Sequence, residues 1–120
     1  MKVLAVGDTS DQISLTIPSR TSYAGVATLV LGGIGSRLDL SYERMDDLQL
    51  AVLSVLGARG ADEVTVEVET AQEHVSVSVG PLVEGSGSDE GLARVLDPLV
   101  DSVQPVRRDG REWLKLQLER

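Results

Sequence analysis

The sequence predicts an α+β fold: a two-layer sandwich with a mainly antiparallel sheet and three helices on one face. Short runs in which valine or leucine strictly alternates with polar residues are typical of strands with one buried side. Three other segments carry apolar residues at helical spacing. Neighbouring strands are joined by short turns, which favours antiparallel pairing. One-sided helices would then cover the apolar face of the sheet.

Length and composition bound the function. The chain has 120 residues, about one domain's worth. Residues 1–11 are expected to form an N-terminal tail or edge strand, and residues 12–120 a single domain. The absence of cysteine excludes disulfides and thiolate metal sites.

The net charge of −8 argues against nucleic acid as a partner, because phosphate backbones are bound by basic surfaces. Arg107, Arg108 and Arg111 do cluster, but they flank a predicted turn, and a solvated hairpin tip is the expected reading. No apolar stretch approaches the roughly 20 residues of a spanning helix or the core of a signal peptide. We therefore expect a cytoplasmic protein that does not enter a membrane.

The first third of the chain predicts one strand and one helix. The strand covers Ile13 to Ile17, where apolar and polar residues alternate, and Pro18 ends it. The helix has its apolar face at Tyr23, Val26, Ala27, Val30 and Ile34 and ends near Gly35. Gly32 and Gly33 weaken this helix or allow close packing. Leu31 beside them is expected either to contact a second copy or partner, or to be an isolated surface residue.

A second helix is predicted to begin after Ser41, whose hydroxyl can cap it. Acidic residues follow in its first turns, where they suit the helix dipole. Gly57 or Gly60 is expected to end it. Its apolar stripe comprises Met45, Leu48, Val52, Val55 and Leu56.

Two valine-rich strands come next, with a short linker that predicts an antiparallel hairpin. Their inward residues are Val64, Val66, Val68, Val75, Val77 and Val79. Gly80-Pro81 ends the second strand. Residues 83–91 are rich in glycine and serine and predict a mobile loop.

A third helix and a final hairpin complete the predicted fold. Ser88 is expected to cap the helix, and Pro98 is expected to kink it or to restart it with Asp97 as the cap. The helical stripe comprises Leu92, Val95, Leu96, Leu99, Val100 and Val103. Asp109-Gly110 between two extended runs is a strong hairpin signal. Leu114, Leu116 and Leu118 form the inward side of the last strand.

The residues themselves predict no catalytic or metal site and no cofactor. His74 is the only histidine and is interpreted as a surface residue, since no nucleophile is paired with it. The acidic pairs Asp46-Asp47 and Asp89-Glu90 lie in first turns of helices, where dipole compensation explains them. Gly85-Ser86-Gly87 lacks the lysine of a phosphate loop.

The organisation resembles the anti-sigma factor serine kinases of bacteria, which have the Bergerat fold of histidine kinases and gyrase. The resemblance covers residues 12–119. It rests on Ile17-Pro18-Ser19, on Asp47 to Val52, on the two hairpins, and on Gly91-Leu92 at the start of the last helix.

The resemblance implies a nucleotide site whose key residues have been replaced. The family has a catalytic Glu where this chain has Ser54, and a magnesium-binding Asn where it has Ala58. The family's adenine-reading Asp corresponds to Val79 or Gly80. Vestiges of the glycine-rich lid remain at Gly80, Gly85, Gly87 and Gly91, but Ala93 replaces another lid glycine.

The resemblance therefore implies a non-catalytic regulatory protein that binds another protein, either a sigma factor or its STAS-domain antagonist, often as a dimer. Two alternatives stay open at this point. One is an active ATP-dependent anti-sigma serine kinase. The other is an unrelated α+β domain with a small-ligand or unknown role.

Overall fold

The described strands form one antiparallel sheet. The computed structural model describes residues 2–7, 11–18, 41–57, 63–71 and 73–119. The sheet has six strands in the order β1-β2-β3-β4-β6-β5, and every neighbouring pair is antiparallel. The strands are β1 (Lys2–Gly7), β2 (Asp11–Pro18), β3 (Glu63–Thr70), β4 (His74–Leu82), β5 (Ser102–Arg108) and β6 (Arg111–Glu119).

The alternating runs place their apolar residues on one face, as predicted. Val66 of β3 lies opposite Val79 of β4, and Val77 of β4 lies opposite Leu116 of β6. Val77 and Leu116 are fully buried. The predicted hairpin of β3 and β4 is confirmed, and its inward side chains form the floor of the core. The predicted end at Gly80-Pro81 is wrong, because β4 continues to Leu82, which pairs with Glu112 of β6.

Helix α1 (Tyr42–Leu56) covers this floor. Ser41 caps it as predicted, because its hydroxyl accepts a hydrogen bond from the Arg44 amide at 3.2 Å. Gly57 is the C-cap. The buried side of α1 consists of Met45, Leu48, Ala51, Val52, Val55 and Leu56. These residues share one apolar cluster with the inward residues of the sheet.

Helix α2 (Glu90–Leu96) is shorter than the sequence predicts. Asp89, and not Ser88, is its N-cap. Pro98 has no amide to continue the helical hydrogen bonding, and the helix does not restart after it: Asp97 is the C-cap. The predicted stripe to Val103 is wrong, because Val103 belongs to β5. Leu96 of α2 is buried in the same core as α1.

The β5–β6 hairpin is confirmed. Asp109 and Gly110 have φ angles of 52° and 75°, the positive values that a tight two-residue turn of this twist requires. Pro105 lies in β5, where its missing amide costs little because β5 is an edge of the sheet.

The α+β class and the antiparallel sandwich are thus confirmed, with two α-helices in the described part of the chain. The first predicted helix lies outside the described residues, as do Leu31, Gly32, Gly33 and Ala58. No helix among the described residues is long and apolar enough to cross a membrane.

Candidate functional site

A groove opens between α1, α2 and the segment that joins β4 to α2. We call residues 83–89 of this connection the lid segment. The groove has a volume of about 570 Å³. The described residues that line it are Ser54, Gly57, Val83, Glu84, Gly85, Ser86, Asp89, Gly91, Leu92 and Val95. The structure therefore brings together three of the positions singled out from the sequence: Ser54, Gly85 and Gly91.

Ser54 stands at the α1 side of the groove, where the family resemblance implies a catalytic carboxylate. Its hydroxyl donates a hydrogen bond of 2.8 Å to the Leu50 carbonyl oxygen, one turn earlier in the same helix. This back-bond satisfies the hydroxyl within α1. A neutral hydroxyl is also a poor general base near pH 7.

The lid segment is not an unstructured linker. Gly85 has a φ of 92°, which a residue with a side chain rarely adopts. Residues Ser86–Ser88 form a 3₁₀ turn in which the Ser88 amide donates to the Gly85 carbonyl at 3.0 Å. The Ser86 hydroxyl donates to the Val83 carbonyl at 2.6 Å, and Ser86 is buried. The segment that the sequence predicts to be a mobile loop thus contains a 3₁₀ turn with internal hydrogen bonds.

Glu112 of β6 holds the lid segment in place. One oxygen of its carboxylate accepts from the Gly85 amide at 3.2 Å, and the other accepts a short hydrogen bond from the Gly87 amide. Glu112 is 8% exposed. Amides that converge on one point form an anion-binding concavity, and hydrogen bonds to a charged acceptor are the stronger kind. The concavity of the lid segment is therefore occupied by a carboxylate of the chain itself.

Gly87 is required by packing. A Cβ atom at Gly87 would overlap Pro105 of β5 and lie 3.2 Å from the Glu112 carboxylate. The absence of a side chain at Gly87 lets the lid segment lie against the β5–β6 hairpin. Gly91, in the first turn of α2, is exposed and has only Asp89 close to its missing Cβ.

Gly80 and Val79 do not contribute to the groove. Val79 is fully buried in the core. A Cβ atom at Gly80 would overlap the Trp113 ring. That ring also carries the Arg108 guanidinium, 4.4 Å from its centroid. The Trp113 ring leaves no room for a side chain at Gly80, which is sufficient to explain this glycine. Neither Gly80 nor Val79 offers a side-chain acceptor to an adenine.

Two amides in the first turn of α2 are also engaged. The Asp89 carboxylate accepts from the Leu92 amide at 3.1 Å, and the Asp89 carbonyl accepts from the Ala93 amide at 3.0 Å. Asp89 thus acts as the N-cap of α2 at the edge of the groove.

The basic cluster near the hairpin tip is tied to carboxylates. Arg107 donates to Glu84 at 2.9 Å and to the Gly110 carbonyl at 2.8 Å. The pKa of the Arg107 guanidinium is raised, first by the hydrogen bond to Glu84 and then by the charge of Glu84. Arg108 donates to both carboxylate oxygens of Glu67, at 2.8 and 2.9 Å. Arg107 therefore fixes the lid segment to β5 at Glu84.

A second groove, of about 610 Å³, lies at the opposite end of the sheet. It contains the half-buried His74 beside Glu73, Asp101 and Glu119. In the described part of the chain, no three His, Asp or Glu side chains are arranged to hold a metal ion.

Glu112 is the residue that the sequence reasoning missed. It stands two positions before Leu114 and so shares the inward face of β6 with Leu114, Leu116 and Leu118. A carboxylate in an otherwise apolar register is the signal that could have found it, because a buried charge needs partners. Gly85 and Gly87 supply those partners.

Comparison with known proteins identifies several relatives. The serine-protein kinase RsbW of Listeria monocytogenes serotype 4a is 34% identical over 103 residues, which cover 79% of this chain and 60% of that protein. RsbW of Oceanobacillus iheyensis is 43% identical over 42 residues, 35% of this chain and 27% of that protein. RsbW of Bacillus subtilis strain 168 is 35% identical over 43 residues, 36% of this chain and 27% of that protein. No family model matches the chain.

Over 79% of its length the chain is similar to an RsbW serine-protein kinase, which confirms the resemblance to the anti-sigma factor serine kinases. The chain spans 60% of the length of the Listeria protein it matches.

Proposed function

We propose that this chain is a non-catalytic regulatory protein of the anti-sigma type, which binds a protein partner without using ATP. The partner is a sigma factor or its STAS-domain antagonist, and the complex forms in the cytoplasm. The relationship to RsbW supports the anti-sigma role. The groove between α1 and the lid segment supports the loss of nucleotide chemistry.

The observation that carries the proposal is the hydrogen bonding of Glu112 to the lid segment. The amides of Gly85 and Gly87 both donate to this one carboxylate. A phosphate group bound there would have to displace Glu112 or lie against its negative charge, which is unfavourable at short range. The lid segment therefore offers no open phosphate cradle at these two amides.

The positions that the family resemblance assigns to magnesium binding and to proton transfer carry neither an amide nor a carboxylate in this sequence. Magnesium prefers oxygen ligands and usually takes one or two of them from the protein. The chain contains no asparagine at all, and Ala58 stands where the family implies a magnesium ligand. Ser54 cannot replace the missing base. These losses affect different parts of the nucleotide, so their effects on affinity should add.

Nucleic acid is not proposed as a partner. The guanidinium groups of Arg107 and Arg108 already pair with Glu84 and Glu67, and the net charge of −8 repels phosphate backbones. A dimer remains a proposal, to be tested by the mass of the protein in solution.

The test is to mix the purified full chain with each sigma factor and each STAS-domain protein of its source organism. We expect one of them to co-elute with the chain equally well with and without ATP and magnesium, and no labelled γ-phosphate to reach any of them. The Listeria relative with its own partners is the positive control for phosphate transfer. A complex that needs ATP, or phosphate incorporated into a STAS-domain serine, would restore the kinase alternative.

A further inference from the structure

Two exposed apolar side chains line the groove, and a third lies near it on α1. Four large apolar or aromatic side chains of the described residues are strongly exposed: Tyr42, Leu50, Val83 and Val95. Val83 and Val95 line the groove, and they are 54% and 47% exposed. Leu50 is 54% exposed and lies one turn before Ser54 on α1. Clustered exposed apolar residues mark interaction sites, whereas single ones do not.

The charged groups among the described lining residues are all acidic. They are Asp89 and Glu84, of which Glu84 also pairs with Arg107 of β5 at the edge of the groove. Asp46 adds an exposed carboxylate one turn before Leu50 on α1. The groove thus combines an apolar wall with an acidic rim, which is complementary to a segment with an apolar stripe and basic flanks.

The lid segment, which forms one wall of the groove, is fixed by side chains of the sheet. Glu112 fastens the lid segment to β6, and Glu84 fastens it to Arg107 of β5. A preformed groove costs less ordering entropy on binding than one that must be shaped by its partner.

We propose that this groove binds an amphipathic helix of the partner protein, with its apolar stripe on Val83, Leu92 and Val95 and lysine or arginine side chains facing Asp89 and Asp46. This is helix-in-groove recognition, in which apolar side chains spaced by three and four residues are the anchors. The inference rests on the proposed function, because a helix bound in this groove would exclude a nucleotide from it.

The probe is a display library of helical peptides of about 18 residues, long enough to form a helix on contact. Leucine is fixed at positions i, i+3, i+4 and i+7, and the other positions vary among Lys, Glu, Gln and Ser. The library is selected against the intact chain. We expect lysine to outnumber glutamate among the selected peptides, and their affinity to fall with rising salt.

Three variants then locate the binding. Val83→Ser and Val95→Ser should each weaken the strongest selected peptide by about tenfold, which is the loss of one apolar anchor. Val106→Ser is the matched control, because Val106 lies opposite Trp113 on the face of the sheet turned away from α1, and it should leave affinity within about twofold. Melting temperatures verify that all three variants fold.

The possible results separate this inference from the proposed function. Absence of peptides above background, selection of glutamate-rich peptides, or equal weakening by Val106→Ser would overturn the groove as a helix-binding site. Tight binding of ATP with magnesium by the same protein, measured in parallel, would overturn the non-catalytic proposal whatever the peptides do.

Discussion

The core beneath α1 and the lid segment are held together in different ways. Among the described residues, eighteen apolar side chains form the core, and they come from elements that the sequence pattern predicts. The lid segment is held by a few polar contacts: Glu112, 27 and 25 residues away, binds the amides of two of its glycines, and Arg107 pairs with Glu84. The core therefore depends on many interchangeable contacts, whereas the lid segment depends on a few specific ones. Substitutions should affect the two regions to different extents and in different observables.

The largest effect is expected in the core. Leu116 is fully buried and lies opposite Val77 in the middle of the sheet. Leu116→Ala should lower the free energy of unfolding by about 2–5 kcal/mol, the usual cost of a core cavity, as measured by urea denaturation. Val95→Ala, on the exposed face of α2, should change it by less than about 0.5 kcal/mol. Equal effects of the two variants would mean that the core lies elsewhere.

A smaller but more localised effect is expected at the lid segment. Glu112→Ala leaves the amides of Gly85 and Gly87 without their acceptor and should cost about 1–3 kcal/mol. Glu112→Gln retains an acceptor oxygen and should cost less. Hydrogen exchange at Gly85 and Gly87 should accelerate by about tenfold or more in Glu112→Ala, while exchange in β4 changes little.

Glu73→Ala is the control for the Glu112 variants, because Glu73 is exposed and lies at the far end of β4. It should leave exchange at the lid segment unchanged. Unaltered exchange at Gly85 and Gly87 in Glu112→Ala would contradict the role of Glu112 as the tie that holds the lid segment.

Gly80 tests whether packing explains a glycine that the family resemblance places in the nucleotide site. Gly80→Ala should cost about 1–3 kcal/mol by overpacking against Trp113. It should also shift the emission of Trp113, the only tryptophan. In a Trp113→Val background the same substitution should cost much less. An equal cost in both backgrounds would show that the Trp113 ring is not the obstacle.

The smallest effect concerns a polar tie between α1 and the end of β6. Asp101 accepts from the Glu119 amide at 2.6 Å and pairs with Arg44. The Glu119 hydrogen bond is the main cause of a lowered Asp101 pKa, and Arg44 lowers it further. This pair therefore contributes stability above the ordinary aspartate pKa of about 3.9, and that stability is lost as pH falls through the lower folded value.

Asp101→Asn should accordingly make the unfolding free energy less dependent on pH below about pH 4. The effect should be small, since Asp101 is 41% exposed and Arg44 is 32% exposed. Asp46→Asn, on the exposed side of α1, is the control. A pH dependence unchanged by Asp101→Asn would mean that this tie contributes nothing to stability.

The same contrast explains what the sequence could predict. α1 and the two hairpins follow from short-range patterns, because spacing and turn residues such as Ser41 and Asp109-Gly110 act locally. The pattern places the end of α2 too late, because Val100 and Val103 continue the helical spacing by chance beyond Pro98. The order in the lid segment could not be read locally, since Glu112 reaches it only after β6 has paired with β4.

The sequence singles out positions that lie together in the fold, but not the contacts that they make there. Ser54, Gly85 and Gly91 do line one groove. Packing is sufficient to explain Gly80 and Gly87, because Trp113 and Pro105 occupy the space where their side chains would lie. The sequence shows that a glycine has no side chain, but only the structure shows which neighbour leaves no room for one.

The most direct test of the account is calorimetric titration of the intact chain with ATP and magnesium, together with its melting temperature at the same concentrations. The account holds that the amides of Gly85 and Gly87 are bound to Glu112 and that Ala58 replaces the family's magnesium ligand. It therefore predicts no measurable heat of binding and no magnesium-dependent rise in melting temperature. A dissociation constant in the micromolar range, about −8 kcal/mol of binding free energy, would contradict it.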